Sequence, residues 1–306
     1  MDRVRCLVGV ANTDGTRRPK IPTGKGIGIA VVDTGISSHM DFGIGKDSRI
    51  VYFMDFVKGK RGMYDDCGHG THVSGIIAGN GRASNGKYEG IAPESEIIAL
   101  KTLNDKGNGK INNVLNALNW ILDNKERYNI RIVNISMGAG EGTNYSEDNE
   151  LVLGIEKVWD AGMVVCVAAG NSGPGNSTIT MPGICRKIIT VGCMDDDIEV
   201  IMNNTRVINY SGRGPTAAAI MKPEIVAPGG NVYSCGGGYR NYVSKSGTSM
   251  ATPVVSGLIA LLLEVNPKLT NVQIKKLLKN AAEDTGEDRY KQGWGKINID
   301  NMLKFI

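Results

Sequence analysis

Residues 26–33, Gly-Ile-Gly-Ile-Ala-Val-Val-Asp, form an apolar run without polar alternation that closes on a carboxylate. A strand with one face in water alternates apolar and polar side chains, whereas a strand covered on both faces reads as continuous Val and Ile. The stretch therefore predicts a strand buried within a parallel sheet, with Asp33 at its C-terminal end. Residues 97–103, 130–136, 163–169 and 187–192 share this short, β-branched character and predict four more strands. Apolar residues at helical spacing predict helices over 69–78, 111–128, 146–161, 249–265 and 272–282. Strands alternating with helices call for right-handed βαβ crossovers. The expected fold class is thus α/β, three-layer, with a mostly parallel central sheet and helices on both faces. In open sheets of this kind function collects at the carboxyl ends of the strands.

No repeat, low-complexity tract or linker interrupts the pattern across the 306 residues, so one domain is expected over 24–306. Residues 1–23 read as a loosely specified extension. The hydrophobic fraction of 41% and charged fraction of 22% exclude a disordered or fibrous chain. The net charge of +4 is too small to predict electrostatic binding of nucleic acid or membrane. Neither is expected as a partner. Glycine is abundant, at 41 residues, which points to many tight turns and close backbone approaches. The six cysteines lack any CxxC spacing and read as free thiols of a reducing compartment. The N-terminal apolar stretch is too short for a signal peptide, and the apolar run 254–263 falls short of the roughly 20 residues that span a bilayer. The expected location is the cytoplasm, or outside the cell if a leader is removed.

Four segments carry polar residues that packing does not require. Val31-Val32-Asp33-Thr34-Gly35 puts a carboxylate at a strand end, where a turn or cap aspartate is the plain alternative. Asp66-Cys67-Gly68-His69-Gly70-Thr71-His72 places an imidazole where a helix should begin. His69 and His72, three residues apart, lack further ligand residues nearby and do not complete a metal site; a buried, hydrogen-bonded role suits His72. Ala169-Gly170-Asn171-Ser172-Gly173 ends a strand on a side-chain amide, which a turn would also explain. Gly247-Thr248-Ser249-Met250-Ala251-Thr252-Pro253 runs from a glycine turn into a long apolar helix. There Ser249 could serve as a cap, yet its hydroxyl also lies beside free backbone N–H groups and the positive helix end.

Together the segments supply what acyl transfer needs. A serine hydroxyl must lose its proton to a base as it attacks, and that base needs a carboxylate to fix its tautomer. Asp33, His69 and Ser249 fill these roles, and Asn171 with the Ser249 backbone offers donors to a carbonyl oxygen as it becomes anionic. At this point the residues resemble the subtilisin-like serine proteases, the subtilases. The four motifs occur in that family's order, from about Gly24 to the C-terminus, and look most like its bacterial intracellular group. The resemblance implies a serine endopeptidase that works through an acyl-enzyme and needs no cofactor for its chemistry. The tripeptide Asp33-Thr34-Gly35 also occurs in aspartic proteases, which need a second such carboxylate; the chain has no second copy. A catalytically silent subtilase that only binds or scaffolds is the other alternative.

The resemblance further implies where substrate lies. An extended peptide or protein segment would run between one backbone edge at 103–109, including Leu103, Gly107 and Gly109, and another at Ser136, Met137 and Gly138. Ala169, Gly170, Ser172 and Thr180 would line the primary specificity pocket, with Ser172 at its rim and Thr180 at its floor. Thr180 would leave that pocket shallow, which predicts broad specificity with a preference for uncharged, medium-sized residues before the scissile bond. The family also brings a propeptide or inhibitor as a partner, and structural calcium. Asp41 fits one calcium position, but the loop 80–89 is longer and more basic than the family's; Asp195 and Asp197 offer oxygen ligands elsewhere. Cys67, two residues before His69, is close enough for a bulky thiol reagent to block the site.

Overall fold

All six residues of the first strand, β1 at Gly28–Asp33, are buried, as its unbroken apolar run requires. A computed structural model describes residues 1–138, 146, 148–202 and 205–306; residue 147, inside the expected helix 146–161, lies outside them. The remaining strands are β2 (Ile50–Asp55), β3 (Glu96–Lys101), β4 (Ile130–Ile135), β5 (Val164–Ala168), β6 (Ile189–Cys193), β7 (Val200–Met202), β8 (Thr205–Val207), β9 (Ile225–Ala227), β10 (Val232–Cys235) and β11 (Tyr242–Lys245). The helices are α1 (Asp2–Leu7), α2 (His69–Ala78), α3 (Ile111–Asn124), α4 (Glu150–Asp160), α5 (Thr248–Val265), α6 (Asn271–Ala281), α7 (Arg289–Gln292) and α8 (Ile299–Leu303).

Seven strands form one sheet in the order β2-β3-β1-β4-β5-β6-β9, and every pairing in it is parallel. Helices α2 and α5 pack together on one face, α2 against β1 and β3 and α5 against β4, β5, β6 and β9. On the other face α3 and α4 pack together against β1 and β5. The expected three-layer α/β architecture is therefore present. From β1 the chain first builds β2 and β3 to one side, then crosses to place β4 on the other. Loops leaving β1 and β4 consequently diverge, which opens a crevice at their carboxyl ends.

Some elements escape the sequence pattern. The edge strand β2 follows β1 with no intervening helix of ordinary length, and β9 is only three residues long. Helix α5 has 18 residues with a mean hydropathy of 1.6, enough in length and composition to cross a bilayer, although the run 254–263 within it is shorter. Its apolar residues instead face protein on all sides, and all but Ser249, Glu264 and Val265 are buried.

The expectation of a loosely specified extension is corrected. Helix α1 docks on the domain, with Met1, Val4, Val8 and Val10 buried in the main hydrophobic core. Arg5 is only 1% exposed. Its guanidinium donates to Glu89 at 2.5 Å and to the carbonyls of Gly15 at 2.9 Å, Gly86 at 3.0 Å and Lys87 at 3.4 Å. Arg3 meets Asp195 at 2.5 Å. Composition cannot reveal this docking, because every partner named here except Gly15 lies more than 80 residues away in the chain.

Candidate active site

Asp33, at the end of β1, is 1% exposed. Its Oδ1 accepts hydrogen bonds of 2.7 Å from the Thr34 backbone N–H and from His69 Nδ1. Since Nδ1 donates in that bond, Nε2 is the ring nitrogen left to act as a base. The imidazole is positioned through Asp65. That carboxylate accepts the N–H groups of Cys67 at 3.1 Å, Gly68 at 2.8 Å and Thr71 at 2.8 Å, together with the Thr71 and Thr34 hydroxyls at 2.6 and 2.8 Å. Thr34 Oγ1 in turn accepts the Gly70 N–H at 2.8 Å. The turn carrying His69 is thus fastened to the loop carrying Asp33. Burial pushes the His69 pKa down, but the adjacent Asp33 charge and its hydrogen bond outweigh this, and the net position lies above the ordinary 6.5.

His72 takes the structural role expected of it. Its Nε2–H donates to the carbonyls of Val232 at 2.9 Å and Val243 at 3.1 Å. Burial holds its pKa near 3, so the ring stays neutral.

Ser249 is the second residue of α5, where backbone N–H groups lack intrahelical acceptors. Its hydroxyl donates to the Ser136 carbonyl at 2.9 Å, just past the end of β4. Asp33 and Ser249 therefore sit at the ends of neighbouring strands, although no hydrogen bond joins Ser249 to His69 among the described residues. The Asn171 amide is oriented by Thr248, whose N–H and hydroxyl donate to Asn171 Oδ1 at 3.0 and 3.1 Å. Asn171 Nδ2 is then the free donor beside the start of α5.

The two expected substrate edges lie at the ends of β3 and β4. Leu103 and Gly109 form an antiparallel bridge, and a Cβ on Gly109 would meet Leu103 Cδ2 and the Thr102 carbonyl. Gly107, by contrast, has a φ of +76° and open space around it, as a turn glycine does. Thr180 is buried beside Gly138 and Gly170, and a Cβ on either glycine would overlap its side chain. Ser172 is exposed, while Ala169 is buried.

The metal candidates do not come together. Asp41 is fully buried among donors: it accepts the Ala83 N–H at 2.9 Å and the Tyr242 hydroxyl at 2.7 Å, with the Cys235 thiol at 3.7 Å. Calcium needs six to eight oxygen ligands, so this donor shell does not fit it. His39, Asp41 and Cys235 do bring three potential ligand atoms within 4.8 Å of one another. His39 Nδ1, however, already accepts the Asp41 N–H at 3.1 Å, and Nε2 faces the Asn241 carbonyl at 3.0 Å. Asp195 is committed to Arg3 and to the N–H groups of Gly229 and Gly230, and Asp197 is exposed. All six cysteines are free thiols. Burial pushes the Cys67 thiol up, which lowers the thiolate fraction that a thiol reagent needs.

Three anchoring residues were not singled out by sequence. Asp65 has a readable signal, an aspartate a few residues before a helix start. Thr248 has only its position beside Ser249. Lys101 has none, since its role comes from long-range contacts: its buried ammonium donates to the Thr34 carbonyl at 2.6 Å, Asp66 at 2.6 Å and the Leu103 carbonyl at 2.8 Å. It thereby joins the Asp33 loop, the His69 turn and the first substrate edge.

Comparison with known proteins agrees with this geometry. Residues 24–295 match the model of the subtilase family. The serine protease AprX of Bacillus subtilis (strain 168) is 41% identical over 302 residues, covering 92% of this chain and 67% of that protein. Subtilisin Savinase of Lederbergia lenta is 34% identical over 278 residues, 91% of each chain. A solved structure named S41 psychrophilic protease superposes with a TM-score of 0.75 at 30% identity, over 96% of both chains. The chain belongs to the subtilase family and is a subtilisin-like serine endopeptidase.

Proposed function

We propose that the enzyme cleaves proteins through an acyl-enzyme on Ser249, with His69 as base and then acid, Asp33 as its carboxylate partner, and Asn171 Nδ2 with the Ser249 N–H as oxyanion donors. The 2.7 Å bond from His69 Nδ1 to buried Asp33 carries this reading. The Ser249 hydroxyl turns from the Ser136 carbonyl to His69 Nε2, gives up its proton and attacks the substrate carbonyl. His69, now charged and held by Asp33, passes that proton to the leaving amine. Water then enters and the same residues repeat the sequence. A fluorophosphonate should label one site, and mass analysis should find the label on the peptide that contains Ser249. Label on another peptide would remove Ser249 as the nucleophile, and no label on a folded sample would favour a silent binding protein.

Substrate is an extended polypeptide segment that pairs with both backbone edges. Between them lies a cavity of about 300 Å³ lined by Leu103, Gly107, Gly109, Ile111, Val114, Met137, Gly138, Leu151 and Pro182 among others, which suits an apolar side chain. Thr180 fills the space between Gly138 and Gly170, and neither it nor Ser172 offers a charge. Cleavage therefore follows uncharged, medium-sized residues such as Leu, Met or Ala. Thr180→Gly should raise kcat/KM for a Phe substrate relative to its Leu counterpart by about tenfold or more, since each methylene of fit is worth about 1–3 kcal/mol. An unchanged ratio would mean that the pocket floor lies elsewhere.

Neither the chemistry nor the Asp41 region requires calcium in this reading, because the Arg5 guanidinium already binds the carbonyls of Gly86 and Lys87. Chelation should leave Tm unchanged. Arg5→Met should lower stability by about 1–3 kcal/mol, because it leaves the carbonyls of Gly15, Gly86 and Lys87 without the Arg5 donor and half-buried Glu89 with only the more distant Arg17, at 3.8 Å. A large calcium-dependent Tm in the wild-type protein would refute this.

A further inference from the structure

The nucleophile rests on the edge that the substrate is to use. Ser249 Oγ–H donates to the Ser136 carbonyl at 2.9 Å, and Ser136 opens the second substrate edge. An extended segment pairs with such an edge through its backbone N–H groups, whose acceptors are the carbonyls of that edge. The Ser136 carbonyl is therefore sought by two donors, one from the enzyme and one from the substrate.

Ser136 itself is fixed. It follows the last residue of β4 and is buried. Its hydroxyl accepts from Asn134 Nδ2 at 3.0 Å, and Asn134 Oδ1 accepts the Ser256 hydroxyl at 2.9 Å. Asn134 and Ser256 are buried as well, and Ser256 lies on α5 about two turns beyond Ser249. This chain pins the end of β4 to the helix that carries the nucleophile. The Ser249 hydroxyl is free by comparison, since one rotation about its Cα–Cβ bond exchanges its acceptor.

A serine hydroxyl has a single proton to donate. While that proton points at the Ser136 carbonyl it cannot pass to His69 Nε2, so the free enzyme holds its nucleophile out of use. We propose that Ser136 is a positioning residue that keeps Ser249 in reserve, and that the backbone N–H of the substrate residue before the scissile bond arms the nucleophile by taking over the Ser136 carbonyl. This rests on the acyl-enzyme reading above and adds the event that starts it. The arriving N–H replaces the donor that the departing hydroxyl withdraws, so no carbonyl is left unpaired. Without that replacement the armed state is the minor one, about one molecule in five, from the net value of a single hydrogen bond. The enzyme is thereby least reactive toward small electrophiles and most reactive toward a polypeptide laid along its edge.

Methanesulfonyl fluoride tests this, because it is small enough to reach Ser249 without pairing with either edge. Its reaction joins Ser249 Oγ to sulfur and expels fluoride, while His69 takes the hydroxyl proton. The labelling rate is measured alone and with acetyl-Ala-Ala isoamylamide, a Leu-like ligand that keeps the last N–H but has no carbonyl to cover Ser249. Saturation is set from its inhibition of peptide cleavage. The amide should speed labelling about fivefold, and its analogue methylated at the last nitrogen, also at saturation, should not. Protection by the amide, an unchanged rate, or equal acceleration by both ligands would overturn the role of the Ser136 carbonyl and leave the acyl-enzyme reading in place. A folded wild-type enzyme that takes no label on Ser249 under any of these conditions would overturn that reading and this inference together.

Discussion

Ser249→Ala should abolish fluorophosphonate labelling and lower kcat on a peptide substrate by roughly 10⁶-fold, the loss that removal of the nucleophile causes in subtilisin. The residue contributes the attacking oxygen itself, and the neighbouring Thr248 hydroxyl is already committed to Asn171 Oδ1 at 3.1 Å. Stability should change little. The hydroxyl makes one hydrogen bond, to the Ser136 carbonyl at 2.9 Å, and the net value of such a bond is about 1 kcal/mol. Alanine also suits the first turn of a helix. A variant with wild-type Tm and no label is the expected result. A variant that still labels and still digests casein would remove Ser249 from the mechanism.

Asp33→Asn should lower kcat by about 10⁴-fold, since an amide in place of the carboxylate stabilises the wrong imidazole tautomer and cannot balance the imidazolium. The pH profile separates this from simple misfolding. Only neutral His69 accepts the serine proton, so activity climbs as pH rises through its pKa. In the wild-type enzyme that limb lies above the ordinary 6.5, because the Asp33 charge and hydrogen bond overcome the effect of burial. Without the Asp33 charge, burial and Lys245 both act downward, and the limb should move to lower pH. Measuring kcat/KM against pH for both proteins checks the sign. A limb at the same pH in the variant, or a loss of less than about tenfold, would mean that Asp33 does not govern His69.

The sheet was legible where burial runs over five or six residues; β9, buried but only three residues long, was not. In β1 all six residues are enclosed, and full enclosure leaves an unbroken apolar run that sequence alone displays. Strand β2 lies at an edge, and only Asp55 of its six residues is fully buried, so its position depends on pairing with β3. Helix α2 was found with its boundaries because its apolar run and its entry turn are local. Helix α1 was missed because its six residues gain their stability from a core made by distant segments.

The sequence by itself determined the chemical inventory of the site. Asp33, His69, Asn171 and Ser249 each stand in a motif whose strand-to-turn or turn-to-helix context is local, and their order along the chain identifies the family. Tertiary structure decided what those groups touch. It gave the Ser249 hydroxyl to the Ser136 carbonyl, set Thr248 to orient Asn171, and surrounded Asp41 with donors rather than ligands. The physical reason is range. Periodicity and turn chemistry act over a few residues and leave their mark in the sequence. Hydrogen bonds between residues such as Arg5 and Glu89, or His72 and Val232, join segments that only the crossovers of the sheet bring together.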